Sequence, residues 1–333
     1  MLHTHPSKRS FARSLFVVGL GLRFGLVNAS AAERSAAEWL MRMHEASKLR
    51  SYVGTFVVSS VGGNMSSARI WHACEGNVQV ERVESLTGAP RSVYRRNEQV
   101  VTFFPEQHMV RTETRESLGV FTNLIKSTES SIPDFYAAKR VGSDRVAGFD
   151  TDVVQLSPRD NLRFGYRIWS EKKSGLVVKL QTIDADGTVL EQSAFSELAL
   201  DAPVRADKLT QSMTATGGWR VEHADVARTN AEAEGWQIKS PPAGFRPISC
   251  YKRPVGGSQA AEGAMQWIFS DGLAAVSLFI EPYDSRRHTQ ESLFASGATQ
   301  TLTHRLQDWW LTAVGEVPQA TLHAFAQGLE RRK

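Results

Sequence analysis

Residues 176–200 read LVVKLQTIDADGTVLEQSAFSELAL. Two runs rich in branched and apolar residues, Leu176–Ile183 and Val189–Leu200, flank Asp184-Ala185-Asp186-Gly187, a short turn with glycine at its end. That is the pattern of an antiparallel hairpin. Working outward, further strand-like runs precede it at Arg145–Ala147, Asp152–Ser157 and Arg163–Ser170. An earlier series occupies Tyr52–Ser60, Arg69–Glu75, Val78–Glu84, Ser92–Arg96 and Gln99–Phe104, punctuated by Gly62-Gly63-Asn64, Glu75-Gly76-Asn77, Thr87-Gly88 and Pro105. In front lies a helical stripe of Ala36, Trp39, Leu40, Met43 and Ala46. Between residues 118 and 140 the spacing of Phe121, Leu124 and Ile125, then of Ile132, Phe135 and Tyr136, predicts two short helices. The sum is an α+β fold: a strongly curved antiparallel sheet with helices on its concave side.

Downstream, Asp201–Gly218 is poor in large apolar residues, holds Pro203 and ends in Gly217-Gly218, and reads as a linker. A smaller α+β domain follows over 219–333. Its expected strands are Trp236–Lys239, Arg246–Lys252, the hairpin Met265–Phe269 with Ala274–Glu281 around Ser270-Asp271-Gly272, and the region Leu306–Val314. Val317-Pro318 opens a last helix with a stripe of Leu322, Phe325, Ala326 and Leu329.

The first 31 residues are expected to form a signal peptide. Lys8, Arg9 and Arg13 precede an eight-residue apolar run, Leu15–Leu22, and Ala29-Ser30-Ala31 supplies a small-x-small cleavage pattern. The run is far shorter than the ~20 residues of a membrane span. Lys8 stands where a twin-arginine signal has its first arginine, which favours general secretion. The formal net charge of +4 lies wholly in Lys8, Arg9, Arg13 and Arg23, so the remaining 302 residues are balanced. No bulk field remains to attract nucleic acid. The expected product is soluble and periplasmic, with mature residues 32–200 as the first domain.

No Gly-x-Ser-x-Gly elbow, P-loop, dinucleotide fingerprint or His-Glu-x-x-His occurs. An enzyme reading finds no support, and neither a cofactor nor a metal is expected. His72 and Cys74 share a strand face, a geometry a metal accepts, but the reading taken is a half-buried histidine beside a core cysteine. Cys74 and Cys250 allow one long-loop disulfide; two buried, inert thiols is the reading preferred. Phe56, Phe103, Phe104, Phe121, Leu124, Phe135 and Tyr136 give the first domain more apolar material than one sheet face needs. Arg91, Arg95, Arg96, Arg140 and Arg145 interleave with them. An apolar groove with a cationic rim suits an acyl chain under an anionic head group; a solid core under a basic surface fits the same pattern.

Several stretches resemble the RseB/MucB family of periplasmic sigma-E (AlgU-type) factor regulators. They are Tyr166-Arg167-Ile168-Trp169, Asp184-Ala185-Asp186-Gly187-Thr188-Val189-Leu190-Glu191-Gln192, Pro242-Ala243-Gly244-Phe245, Phe269-Ser270-Asp271-Gly272-Leu273 and Val314-Gly315-Glu316-Val317-Pro318. They keep the family's order and spacing, whereas 105–131 departs from its pattern. The resemblance implies a first domain similar to the lipoprotein carriers LolA and LolB, an unclosed antiparallel β-barrel with covering helices. It also implies a C-terminal domain that grips the periplasmic part of a membrane-spanning RseA/MucA-type anti-sigma factor and shields it from the site-1 protease DegS. Lipopolysaccharide or mislocalised lipoprotein is implied as the releasing ligand, with Phe56, Phe103, Phe121, Leu124, Phe135, Tyr136, Arg95 and Arg140 as the candidate groove and rim. For the anti-sigma contact the candidates are Trp267, Phe269, Leu273 and Phe279, alternating along the hairpin, with packing on the last helix as their other use. Homo-oligomerisation is left open. The alternative function is a periplasmic lipid or lipoprotein carrier without a regulatory role.

Overall fold

The computed structural model describes residues 34–76, 78–114, 132–223, 226–253 and 263–332. Glu33–Lys333 forms one compact unit. The first sheet contains β1 (Tyr52–Ser60), β2 (Met65–Glu75), β3 (Val78–Ser85), β4 (Ser92–Arg96), β5 (Gln99–Phe104), β6 (Met109–Thr114), β7 (Tyr136–Val146), β8 (Phe149–Pro158), β9 (Gly165–Glu171), β10 (Val177–Ile183), β11 (Val189–Leu200) and β12 (Arg220–His223). Their order is β12-β6-β5-β4-β3-β2-β1-β11-β10-β9-β8-β7. The two end strands are not paired to each other, so the sheet is unclosed, as expected. All neighbours are antiparallel except β12, which runs parallel to β6. The first sheet therefore recruits a strand from beyond residue 218.

Helix α1 (Ala36–Leu49) starts on a reciprocal cap: Ser35 Oγ accepts from the Glu38 amide, and the Glu38 carboxylate accepts from the Ser35 amide. Its buried Trp39, Leu40, Met43 and Ala46 share one core with Tyr52, Phe56, Ile70, Ile168 and Phe195 of one sheet face. The single turn α2 (Ile132–Phe135) passes straight into β7. Tyr136 is thus a strand residue and not helical as expected, because pairing of Tyr136 with Pro158 extends the β7–β8 ladder. The other expected helix, around Phe121 and Leu124, lies outside the described residues.

The expected linker holds a helix, α3 (Ala206–Thr214), which covers the opposite face of the sheet. Ala206 and Leu209 join Ala73 and Val80, while Met213 joins Tyr94, Val101, Phe103 and Val110. Three apolar residues at helical spacing suffice to seat it, although the segment as a whole is polar.

The second sheet orders β13 (Ala227–Arg228), β15 (Arg246–Arg253), β16 (Ala264–Ser270), β17 (Ala275–Pro282), β20 (Trp309–Gly315), β19 (Thr299–Leu306) and β18 (Ser292–Ser296). A separate pair joins β14 (Trp236–Ile238) to β21 (Leu329–Arg331). Helix α4 (Gln319–Gly328) packs Leu322, Phe325 and Ala326 into the core of this sheet, with Pro318 as its cap rather than its first residue. No described helix is long and apolar enough to cross a membrane.

Candidate functional site

Two of the family-like stretches meet between the two sheets. Arg163, just before β9, and Asp271, in the β16–β17 turn, form an ion pair at 2.6 Å with both side chains fully buried. Arg163 also pairs with Asp160 and donates to the Ala243 carbonyl. Its guanidinium lies 4.2 Å from the Phe135 ring centre and 5.0 Å from that of Phe245. Asp271 Oδ1 accepts the Leu273 and Ala274 amides at 2.9 and 2.8 Å, and the Tyr136 hydroxyl donates to Oδ2 at 3.4 Å. Gly244 has φ +82°, and a Cβ there would stand 2.5 Å from Phe135 Cε2 and 2.6 Å from Arg163 Nη2. Only glycine meets both demands. A further tie is the Thr321 hydroxyl, which donates to the Leu162 carbonyl at 2.6 Å. The Pro242–Phe245 and Phe269–Leu273 stretches thus form a joint between the two sheets. A buried charge pair of this kind is strongly destabilised by removal of either partner.

This joint takes several of the expected binding residues. Phe135 and Tyr136 are packed into it, and Tyr136 is buried. Leu273 packs against the core of the first sheet. Trp267 and Phe269 share the α4 face of β16, with Phe269 buried 4.9 Å from the Phe325 ring. Of the four hairpin residues only Phe279 lies on the other face, because it pairs with Gln266 and Thr312. The same register carries Val314 and Phe294 to that face, and Phe294 on the edge strand β18 is 62% exposed. Phe294 is not among the residues the sequence singles out, because Ser292-Leu293-Phe294-Ala295-Ser296 holds no β-branched residue to mark it as a strand.

In the first sheet, register separates the expected groove residues. Phe56 lies on the α1 face, and so does Arg95, which follows from the cross-strand chain His72–Glu81–Arg95. Phe103 is a correction: it pairs with Ser92 on the opposite face, buried between Tyr94 and Trp219 beneath α3. It serves the core there and cannot line a groove on the α1 face. Arg140 lies opposite Val154 near the β7 edge, exposed, with its Nε 2.8 Å from Asp152 Oδ1. Phe121 and Leu124 fall outside the described residues. Both cysteines are free; Cys250 is buried as expected, but Cys74 is only half-buried.

Two unequal sheets, one open and helix-covered, joined within one compact unit through a buried arginine–aspartate contact, define an α+β protein. The MucB/RseB N-terminal domain matches residues 35–213 and the MucB/RseB C-terminal domain matches residues 230–330. The chain belongs to the MucB/RseB family. It is 29% identical over 310 residues to the sigma factor AlgU regulatory protein MucB of Pseudomonas aeruginosa, covering 87% of this chain and 89% of that protein. It is 24% identical over 303 residues to the sigma-E factor regulatory protein RseB of Escherichia coli K12, covering 91% and 92%. Among solved structures, MucB in complex with MucA(peri) superposes with a TM-score of 0.66 at 26% identity, over 90% of this chain and 99% of that one. The Pseudomonas aeruginosa MucA/MucB complex gives a TM-score of 0.68 at 26% identity, over 89% and 99%.

Proposed function

We propose that this protein is a negative regulator of an envelope-stress sigma factor. In this reading it is exported, with its leader removed near Ala31, and binds the periplasmic segment of an RseA/MucA-type anti-sigma factor. Binding hides that segment from a DegS-type protease, and lipopolysaccharide or lipoprotein acyl chains release it. The observation that carries the reading is likeness across both domains to MucB, a protein solved with MucA(peri) bound. The action is binding, not catalysis.

The structure supports two surfaces for it. The outer face of the second sheet offers Phe279 and the exposed Phe294 as an anchor row for a partner segment. On the first sheet, Phe56 and Arg95 share the face that α1 covers, Phe56 in the core beneath the helix and Arg95 a cation on the same side. Two ligands that favour different states of one protein must weaken each other by the same coupling free energy, typically about 1–3 kcal/mol. The joint at Arg163 is the element through which occupancy of one sheet would bear on the other.

Calorimetric titration of the purified protein with the periplasmic segment of the cognate anti-sigma factor tests this, with and without a diacyl lipopeptide. Micromolar or tighter binding that the lipopeptide weakens supports both halves. No binding, with lipid still retained, makes the protein a lipid carrier instead.

A further inference from the structure

Beyond the binding surfaces, the first sheet brings together three side chains that the regulatory reading does not use. Alternation along β2 puts His72 and Cys74 on one face, and the β2–β3 register sets Glu81 opposite His72. His72 Nε2 lies 3.1 Å from Cys74 Sγ, and His72 Nδ1 lies 3.5 Å from Glu81 Oε2. Behind Glu81, Arg95 Nη1 approaches its other oxygen at 3.7 Å. The Tyr52 ring stacks on the imidazole with centroids 4.9 Å apart and planes 19° from parallel. Only 3% of the His72 side chain is exposed, whereas Cys74 is half-buried. The Cys74 amide donates to Ser51 Oγ at 3.1 Å, which fixes the backbone beneath the sulfur.

We propose that Cys74 is a reactive thiol, set up by His72 and Glu81 to exchange with small-molecule disulfides and form a mixed disulfide at the α1–β1 junction. The chemistry follows from the order of the groups. Glu81 faces Nδ1 and favours a charged ring, and Nε2 faces the sulfur, so positive charge lies beside the atom that attacks. The thiolate attacks one sulfur of the disulfide; a new S–S bond forms as the old one breaks. The leaving thiolate carries away the electron pair and takes a proton from solvent. One disulfide is consumed and one is made, so no other oxidant is needed.

Burial works against charge on His72, but its bonds to Cys74 and Glu81 and the Glu81 charge outweigh it, carrying the imidazole up to about 9. The Cys74 sulfur also lies 3.8 Å from the Arg50 carbonyl, and the other charged residues around it are Arg95, Arg50 with its partner Asp201, Glu75 on β2 and, in the last turn of α1, Lys48, whose carbonyl accepts from Gln79. Tyr52 stays neutral because burial pushes its phenol well above the usual value. Cys250 is the built-in contrast. Burial, helped by the Glu234 charge, pushes its thiol up to about 11.

The test is the reaction of the intact purified protein with glutathione disulfide and with dithionitrobenzoate, followed by peptide mass spectrometry. Cys74 should react at least tenfold faster than Cys250 at pH 7. His72→Gln should slow Cys74 at least tenfold at pH 7. Glu81→Gln should fall between. A Cys74 rate in His72→Gln equal to wild type overturns the proposal. Should that variant fail to fold, the wild-type protein decides: Cys74 reacting no faster than Cys250 at pH 7 overturns it equally.

Discussion

Replacing Asp271 with Asn or with Ala separates two contributions of one buried side chain. Asp271→Asn keeps the acceptor oxygen that caps the Leu273 and Ala274 amides and removes the charge opposite Arg163. Breaking a buried pair costs about 3–5 kcal/mol when the surviving charge is stranded. Arg163 retains Asp160 and the Ala243 carbonyl, so the low end, about 3 kcal/mol, applies. Asp271→Ala also leaves two turn amides without their acceptor, each about 1 kcal/mol, for a total of about 5 kcal/mol. In a unit of this size about 2 °C of Tm accompanies each kcal/mol, which gives losses of about 6 °C and about 10 °C. Calorimetry should also show the two sheets beginning to melt separately, because the joint links them. If Asp271→Ala melts within 1 °C of wild type, or if the two variants coincide, the reasoning about this joint fails.

Gly244→Ala should destabilise by at least 2 kcal/mol more than Gly187→Ala in thermal melts; both have positive φ, but only Gly244 faces Phe135 and Arg163 within 2.7 Å. Ser35→Ala should cost about 1 kcal/mol and speed amide exchange in the first turn of α1. Phe269→Ala should cost about 3–5 kcal/mol of stability, whereas Phe279→Ala should leave Tm within about 2 °C and weaken anti-sigma binding at least tenfold. Equal loss of stability in the two would place Phe279 in the core. His72 has a raised folded-state pKa, so its contribution is full below its ordinary 6.5 and is lost as pH rises through about 9. Wild type should therefore lose about 3 kcal/mol relative to His72→Gln between pH 6 and pH 9.5 in urea melts. Parallel pH profiles would refute that assignment.

Much of the fold is legible along the chain because it is local. Tyr52–Ser60, Ser92–Arg96, Gln99–Phe104 and Val189–Leu200 are strands over the residues read as strands, and the α1 stripe is buried residue for residue. What escapes is set by tertiary context. Helix α3 has only Ala206, Leu209 and Met213 to mark it, and β6 and β12 find each other across more than a hundred residues. Phe103 shows the limit most clearly. Its composition suits a groove, but one step of strand register puts it on the other face from Arg95. The joint is likewise invisible locally, since Arg163 and Asp271 are 108 residues apart. The stretches that resemble the family pointed to it all the same, because two of them supply Ala243, Gly244, Phe245, Asp271 and Leu273. Glu81 escaped for the same reason as Arg163: a histidine and a cysteine two apart are visible in one strand, while their acid comes from the next.

Proteolysis of the anti-sigma factor bears most directly on the regulatory account. Its periplasmic segment is incubated with the site-1 protease, with and without a stoichiometric excess of this protein, and again with lipopolysaccharide added. The account predicts that the protein slows cleavage at least tenfold and that lipopolysaccharide restores it. Cleavage at an unchanged rate under saturating protein would contradict it.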